Sequence, residues 1–208
     1  ALSRTSKRIK ERNMAKENTK PKEKTTVLGT IYDVAEMIGA TTIFVMLMFA
    51  FLVRLNIVDG NSMLNTLHNK EYLIVSDLCY TPKAGDIVVV HKINAAPYNE
   101  PIVKRVIAVG GQTVDIDFAT WTLRVDGEVV DEPYRYVDPT SSLLTAEYPF
   151  PITVPEGEIF VMGDNRNHSA DSRQEEIQTV DERCIVGHAV ARIYPLSKFG
   201  LLKNPFDN

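Results

Sequence analysis

Three short blocks of this 208-residue chain hold side chains able to break a bond. The first is Gly60-Asn61-Ser62-Met63, whose serine hydroxyl could act as a nucleophile. The second is Lys104-Arg105, inside the apolar run Ile102–Val109. The third runs from Gly163-Asp164-Asn165-Arg166 through Ser169, Asp171, Ser172 and Arg173. A serine hydroxyl is a poor nucleophile near neutral pH and needs a base within hydrogen-bond reach. His68, His91, His168 and His188 sit in no triad pattern and are read as structural or surface residues. A lysine serves as base only when neutral, so its ordinary pKa of about 10.4 must fall by several units. Desolvation against apolar side chains achieves this, and Lys104 has Ile102, Val103, Val106 and Ile107 as chain neighbours. No CxxC, HExxH or carboxylate cluster at ligand spacing occurs, so neither a metal nor another cofactor is expected. Taken singly, each block also has an ordinary reading: a turn serine, a lysine on a wet strand face, and a hairpin with an ion pair.

These blocks need a frame, and the pattern around them is one of strands. Tyr72–Ser76, Asp86–His91, Ile102–Val109, Glu158–Met162 and Ile185–Tyr194 are short Val/Ile-rich runs bounded by Gly, Pro, Asn or Asp. Gln112–Asp117, Thr120–Val125 and Glu128–Val130 add a meander, with Asp126-Gly127 as a two-residue hairpin turn. Helical signal is confined to a turn near 174–178. Residues 131–151 hold four prolines and read as a loop or small insertion. The expectation is a mostly β, antiparallel domain over 55–208, large enough for its own core.

Ahead of that domain the composition changes twice. Residues 1–33 hold nine Lys/Arg against four Asp/Glu, a net of +5 that leaves −9 for the remainder of a chain whose total is −4. With almost no apolar content to offset ordering entropy, this tail is expected to be largely disordered. Met37 to Val53 contains no charged residue, and an anchor is expected over 34–54. Seventeen residues of helix span roughly 26 Å, and Glu36 and Arg54 extend the span by snorkelling. No small-x-small site follows before Arg54, which argues against a cleaved signal peptide. Positive-inside logic places the tail in the cytoplasm and the β domain outside. Cys79 and Cys184 then face a compartment that permits a disulfide, but their spacing does not decide whether they pair. The mild net acidity gives no nucleic-acid footprint.

In this order, behind an anchor and within a strand-rich domain, the three blocks resemble bacterial type I signal peptidases in their short, single-anchor, Gram-positive-like form. Those are membrane-bound Ser/Lys serine endopeptidases. GDNRNHSADSR (Gly163 to Arg173) matches the family pattern GDNRxxSxDSR at every fixed position. KRVIAVGGQ (Lys104 to Gln112) is similar to its lysine strand. SMLNTL (Ser62 to Leu67) keeps four of the five fixed residues of SMxPTL, with Asn65 where the family usually has proline. Asparagine does not fix φ as proline does, so a looser turn is expected there.

The resemblance implies a nucleophilic Ser62 and a neutral Lys104 as general base. It implies that Ser169 hydrogen-bonds and orients Lys104, that Gly163 leaves room for the Lys104 stem, and that an Asp171–Arg173 ion pair braces the loop with Arg105 joining it. The Ser62 N–H would supply one oxyanion donor; Gly60 stands where some family members carry a second. Substrates would bind as an added strand, with Val58, Met63, Leu67, Ile102 and Val103 lining shallow apolar pockets for small residues at −1 and −3 of the cleavage site. Partners implied are preprotein signal peptides, the lipid bilayer and the protein export machinery, with no nucleic acid. Phe118, Trp121 and Phe150 are read as core residues, with lipid contact as the alternative. Competing readings are another Ser/Lys peptidase, such as the soluble self-cleaving repressors, and a catalytically silent tethered β domain that binds exported peptides.

Overall fold

The computed structural model describes residues 27–51, 53–92, 100–137 and 145–207. The expected basic tail therefore lies outside the described residues as far as residue 26, and so does 138–144 of the expected insertion. The chain divides into two compact units, residues 1–46 and 47–208.

Helix α1 (Val27–Phe51) begins inside the segment expected to be disordered tail. Asp33 and Glu36 do not interrupt it, because an α-helix satisfies its own backbone whatever its surface carries. Thr41 and Thr42 donate their hydroxyls to the Met37 and Ile38 carbonyls one turn back (2.7 and 2.8 Å), which removes the polar cost of both. Val27–Phe49 is long and apolar enough to cross a membrane; its 23 residues span about 35 Å against a hydrocarbon core of about 30 Å.

The second unit is strand-rich and antiparallel, as expected. Its large sheet has the order β1 (Arg54–Ile57), β2 (Tyr72–Ser76), β11 (Ile185–Tyr194), β3 (Ile87–Val90), β4 (Ile102–Val109), β9 (Glu158–Met162), β10 (Val180–Asp181), with β12 (Gly200–Leu201) paired to β11. A smaller sheet runs β7 (Glu128–Val129), β6 (Thr122–Val125), β5 (Thr113–Asp117), β8 (Ile152–Thr153). Strand β1 is a departure: Arg54, expected to end the anchor, instead opens a strand whose Leu55 and Ile57 pair with Ile74 and Tyr72. The Asp126-Gly127 turn is present, with φ of 53° and 83° at its two residues, the geometry that matches strand twist in a two-residue hairpin.

Central strands β3 and β4 are covered on both faces, which is why they read as continuous apolar runs. One face packs Val58, Met63, Leu67, Leu73, Val75 and Ile87. The other packs Val88, Val90, Val106, Val161, Ile177 and Val180. A third cluster joins the small sheet to β4 and β9 through Ile107, Val114, Leu123, Phe160 and Met162. Phe118 and Phe150 pack against that cluster, and Trp121 meets Phe118 edge to face at 5.4 Å. Both cysteines are free thiols, Cys79 exposed and Cys184 partly buried.

Candidate active site

Lys104 and Arg105 occupy adjacent positions of β4, so pleating sends them to opposite faces of the sheet. Lys104 lies opposite Val88, with Ile102 and Val106 on its own face, while Arg105 lies opposite Ile87. Lys104 is only 3% exposed. Its Nζ sits 2.8 Å from Ser62 Oγ and donates to the Val103 carbonyl at 2.9 Å. Burial lowers the Lys104 pKa from 10.5 to about 8. The Asp171 and Asp164 carboxylates pull it back upward, and Arg173 adds a further downward push. An ammonium buried here has lost water without gaining a carboxylate partner, so the neutral amine becomes accessible at a lower pH than in water.

Ser62 is held from behind by the loop that follows β9. Asn165 N donates to the Ser62 carbonyl at 3.0 Å, and Asn165 Nδ2 donates to the Asn61 carbonyl at 3.0 Å. A Cβ on Gly163 would lie 2.5 Å from the Ser62 carbonyl oxygen and 2.6 Å from Ser169 Cβ. The space this glycine leaves is therefore required by both Ser62 and Ser169. The Leu64–Asn65 peptide is cis.

Three buried arginines fasten this loop, each with its own carboxylate. Arg173 pairs with Asp171 through two contacts of 2.8 Å, and Gly163 N donates to the same carboxylate at 3.0 Å. Burial pushes the Asp171 carboxyl up, but Arg173 and the Gly163 N–H outweigh it and leave the pKa lowered. Arg105 does not join that pair. It binds Asp164 bidentately, at 2.8 and 2.7 Å, and Thr66 Oγ1 donates to the same carboxylate at 2.5 Å. Arg166 pairs with Glu132. Sequence reasoning gave no role to Asp164 or Thr66, although both lie in the motif blocks, and missed Glu132. The available signal was that three arginines around a strand-rich core each require a carboxylate if they are to be buried.

Ser169 departs from expectation. It is 3% exposed, close enough for its hydroxyl to help lower the Asp171 pKa. Its Oγ nonetheless has no hydrogen-bond partner of normal geometry among the described residues. The second partner of Lys104 is the Val103 carbonyl instead. The pocket expectation divides. Val58, Ile102 and Val103 line a cavity of ≈ 500 Å³ together with Gly60, Ser62 and Lys104. Met63 and Leu67, 1% and 0% exposed, lie in the core beneath it. The turn after Ser62 is closed by Leu67 N–H donating to the Met63 carbonyl at 2.8 Å, so these two side chains, four positions apart, share its inward face.

Comparison with known proteins gives the family. The model of the family described as "Signal peptidase, peptidase S26" matches residues 31–194. A probable signal peptidase I-1 of Synechocystis is 32% identical over 168 residues, covering 77% of this chain and 81% of that protein. Signal peptidase I T of Bacillus subtilis is 33% identical over 196 residues, covering 90% and 96%. A solved signal peptidase I from Enterococcus faecalis aligns at 28% identity and a TM-score of 0.42, over 52% of this chain and 97% of that one. The chain belongs to the signal peptidase family, peptidase S26. It is accordingly a serine endopeptidase, and its activity is the removal of signal peptides.

Proposed function

We propose that this serine peptidase cuts with a Ser62–Lys104 pair. The observation that carries the reading is the 2.8 Å approach of Lys104 Nζ to Ser62 Oγ inside a pocket that depresses the lysine pKa. With one N–H given to the Val103 carbonyl, the neutral amine turns its lone pair toward the Ser62 hydroxyl. Ser62 Oγ attacks the scissile carbonyl carbon while Lys104 takes the hydroxyl proton. The oxyanion is met by the Ser62 N–H. Collapse breaks the C–N bond, and Lys104 returns its proton to the departing amine of the mature chain. A water then enters, Lys104 deprotonates it, and its attack on the ester releases the signal peptide and restores Ser62. Asp171 stays out of proton transfer because Arg173 and Gly163 N occupy its carboxylate.

The preprotein lies extended beside β4, with side chains −1 and −3 in the cavity walled by Val58, Ile102 and Val103. Branched aliphatic walls leave room for Ala or Gly there. Helix α1 tethers the enzyme to the bilayer, the Lys/Arg-rich residues before it remain cytoplasmic, and the β domain works on the outer side beside the export machinery. Ser62→Ala and Lys104→Met each abolish preprotein cleavage while the far-ultraviolet circular dichroism stays that of the folded protein. Full activity in either variant would overturn the Ser/Lys reading and leave the cleft to a different nucleophile.

A further inference from the structure

The Arg105–Asp164 pair connects the strand carrying Lys104, the loop after β9 and, through Thr66, the turn carrying Ser62. Arg105 is 2% exposed although its guanidinium lies at the end of a long side chain. Two segments far from the three motif blocks cover it. The Tyr134 ring lies over it, 4.0 Å from ring centroid to Arg105 Cζ. Phe206 then meets Tyr134 edge to face at 6.3 Å.

The placement of Phe206 is determined by Asn204. Asn204 Nδ2 donates to the Ala84 carbonyl and to Asp86 Oδ1, both at 2.8 Å, and its Oδ1 accepts from Phe206 N at 2.8 Å. That turn seats on Gly85, where a Cβ would lie 2.7 Å from the Phe206 ring and 2.8 Å from Asn204 Cγ. The Gly85 carbonyl in turn accepts from Arg105 Nη1 at 2.6 Å. The Asn204–Phe206 turn thus closes over the same glycine whose carbonyl holds Arg105.

We infer that Tyr134 and the Asn204–Phe206 turn form an aromatic latch that keeps the Arg105–Asp164 pair dry and so positions Ser62 against Lys104. The inference rests on the proposed Ser62–Lys104 pair, and it makes Tyr134 and Phe206 positioning residues for that chemistry. Neither lines the substrate cavity. Opening the latch admits water to Arg105 and loosens its grip on Asp164. Three charged groups bear on Lys104: Asp171 and Asp164, which favour its ammonium, and Arg173, which opposes it. A less neutralised Asp164 therefore raises the pH at which Lys104 loses its proton.

The test uses the full chain in detergent with a preprotein substrate, and kcat and KM measured from pH 6 to 10 alongside the melting temperature. Phe206→Ala and Tyr134→Leu move the acid limb of kcat/KM upward by about half a unit, a loss of about threefold at pH 7. KM is unchanged, and Tyr134→Phe restores the original limb because the ring remains. Acid limbs that stay in place in both Phe206→Ala and Tyr134→Leu, with activity tracking only the folded fraction, would overturn the latch. So would a Tyr134→Phe enzyme as impaired as Tyr134→Leu. Should Tyr134→Leu not fold, Phe206→Ala decides alone, since Phe206 is 42% exposed. Failure of the Ser/Lys reading looks different: Ser62→Ala would remain active, or the unaltered enzyme would show no acid limb at all.

Discussion

Replacing Lys104 by methionine removes the proposed base, and it should also make the protein more stable. Lys104 carries a pKa near 8 in the folded domain against an ordinary 10.5. A downward difference of that size corresponds to about 3 kcal/mol by linkage. Below pH 8 the lysine is protonated in both folded and unfolded chains, so the folded state bears the whole cost of burying an ammonium. Between pH 8 and 10.5 the unfolded chain holds a proton that the folded chain has released, and stability rises with pH. Above 10.5 both are neutral and the cost is gone. In Lys104→Met the new side chain fills a similar volume without a charge, although it gives up the hydrogen bond to the Val103 carbonyl, worth about 1 kcal/mol. Urea unfolding of the full chain in detergent, for both proteins from pH 7 to 11, isolates the lysine because all other titrations cancel in the difference. The variant should lead at pH 7 by about 2 kcal/mol, and its advantage should shrink by about 3 kcal/mol by pH 11. A difference that stays constant across that range would refute the claim that burial depresses the Lys104 pKa.

Activity should carry the same titration: kcat/KM rises about tenfold per unit below pH 8 and levels off above it, and a profile flat from pH 6 to 10 would exclude a lysine base. Gly163→Ala should lower kcat by about 100-fold, because its methyl would intrude on both the Ser62 carbonyl and Ser169; single-turnover cleavage measures this, and an unimpaired variant would show that the loop yields freely. Ile102→Ala should widen the cavity beside Ser62 and admit Val or Leu at −1 or −3, read by cleavage of a set of variant signal peptides. Unchanged selectivity would place those side chains elsewhere.

Much of the frame was legible in the residue order because local rules and tertiary packing agree there. Ile102–Val109 and Glu158–Met162 are strands at the expected bounds, and Ile185–Tyr194 likewise. Boundaries were less legible. Charge and low apolar content end the expected tail at residue 33, yet α1 begins at Val27 and carries Asp33 and Glu36, since isolated carboxylates on a helix surface cost it little. A four-residue strand soon after α1, β1, had too little pattern to stand out, and it exists because β2 offers it a partner.

The sequence by itself determined the chemistry on offer: one serine in a glycine turn, one lysine in an apolar strand, and a motif block rich in paired charge. Motif spacing could name these groups because each needs only its near neighbours to be recognised. Only the tertiary structure decided how they meet. Ser62 and Lys104 are 42 positions apart and come within 2.8 Å. Arg105 chooses Asp164 over Asp171, Lys104 takes the Val103 carbonyl instead of Ser169, and Met63 and Leu67 sink into the core. Tyr134 and Phe206 belong to no motif, yet they seal the central ion pair. Partner choice among buried charges depends on which carboxylate the fold places within about 3 Å, and no one-dimensional pattern carries that distance.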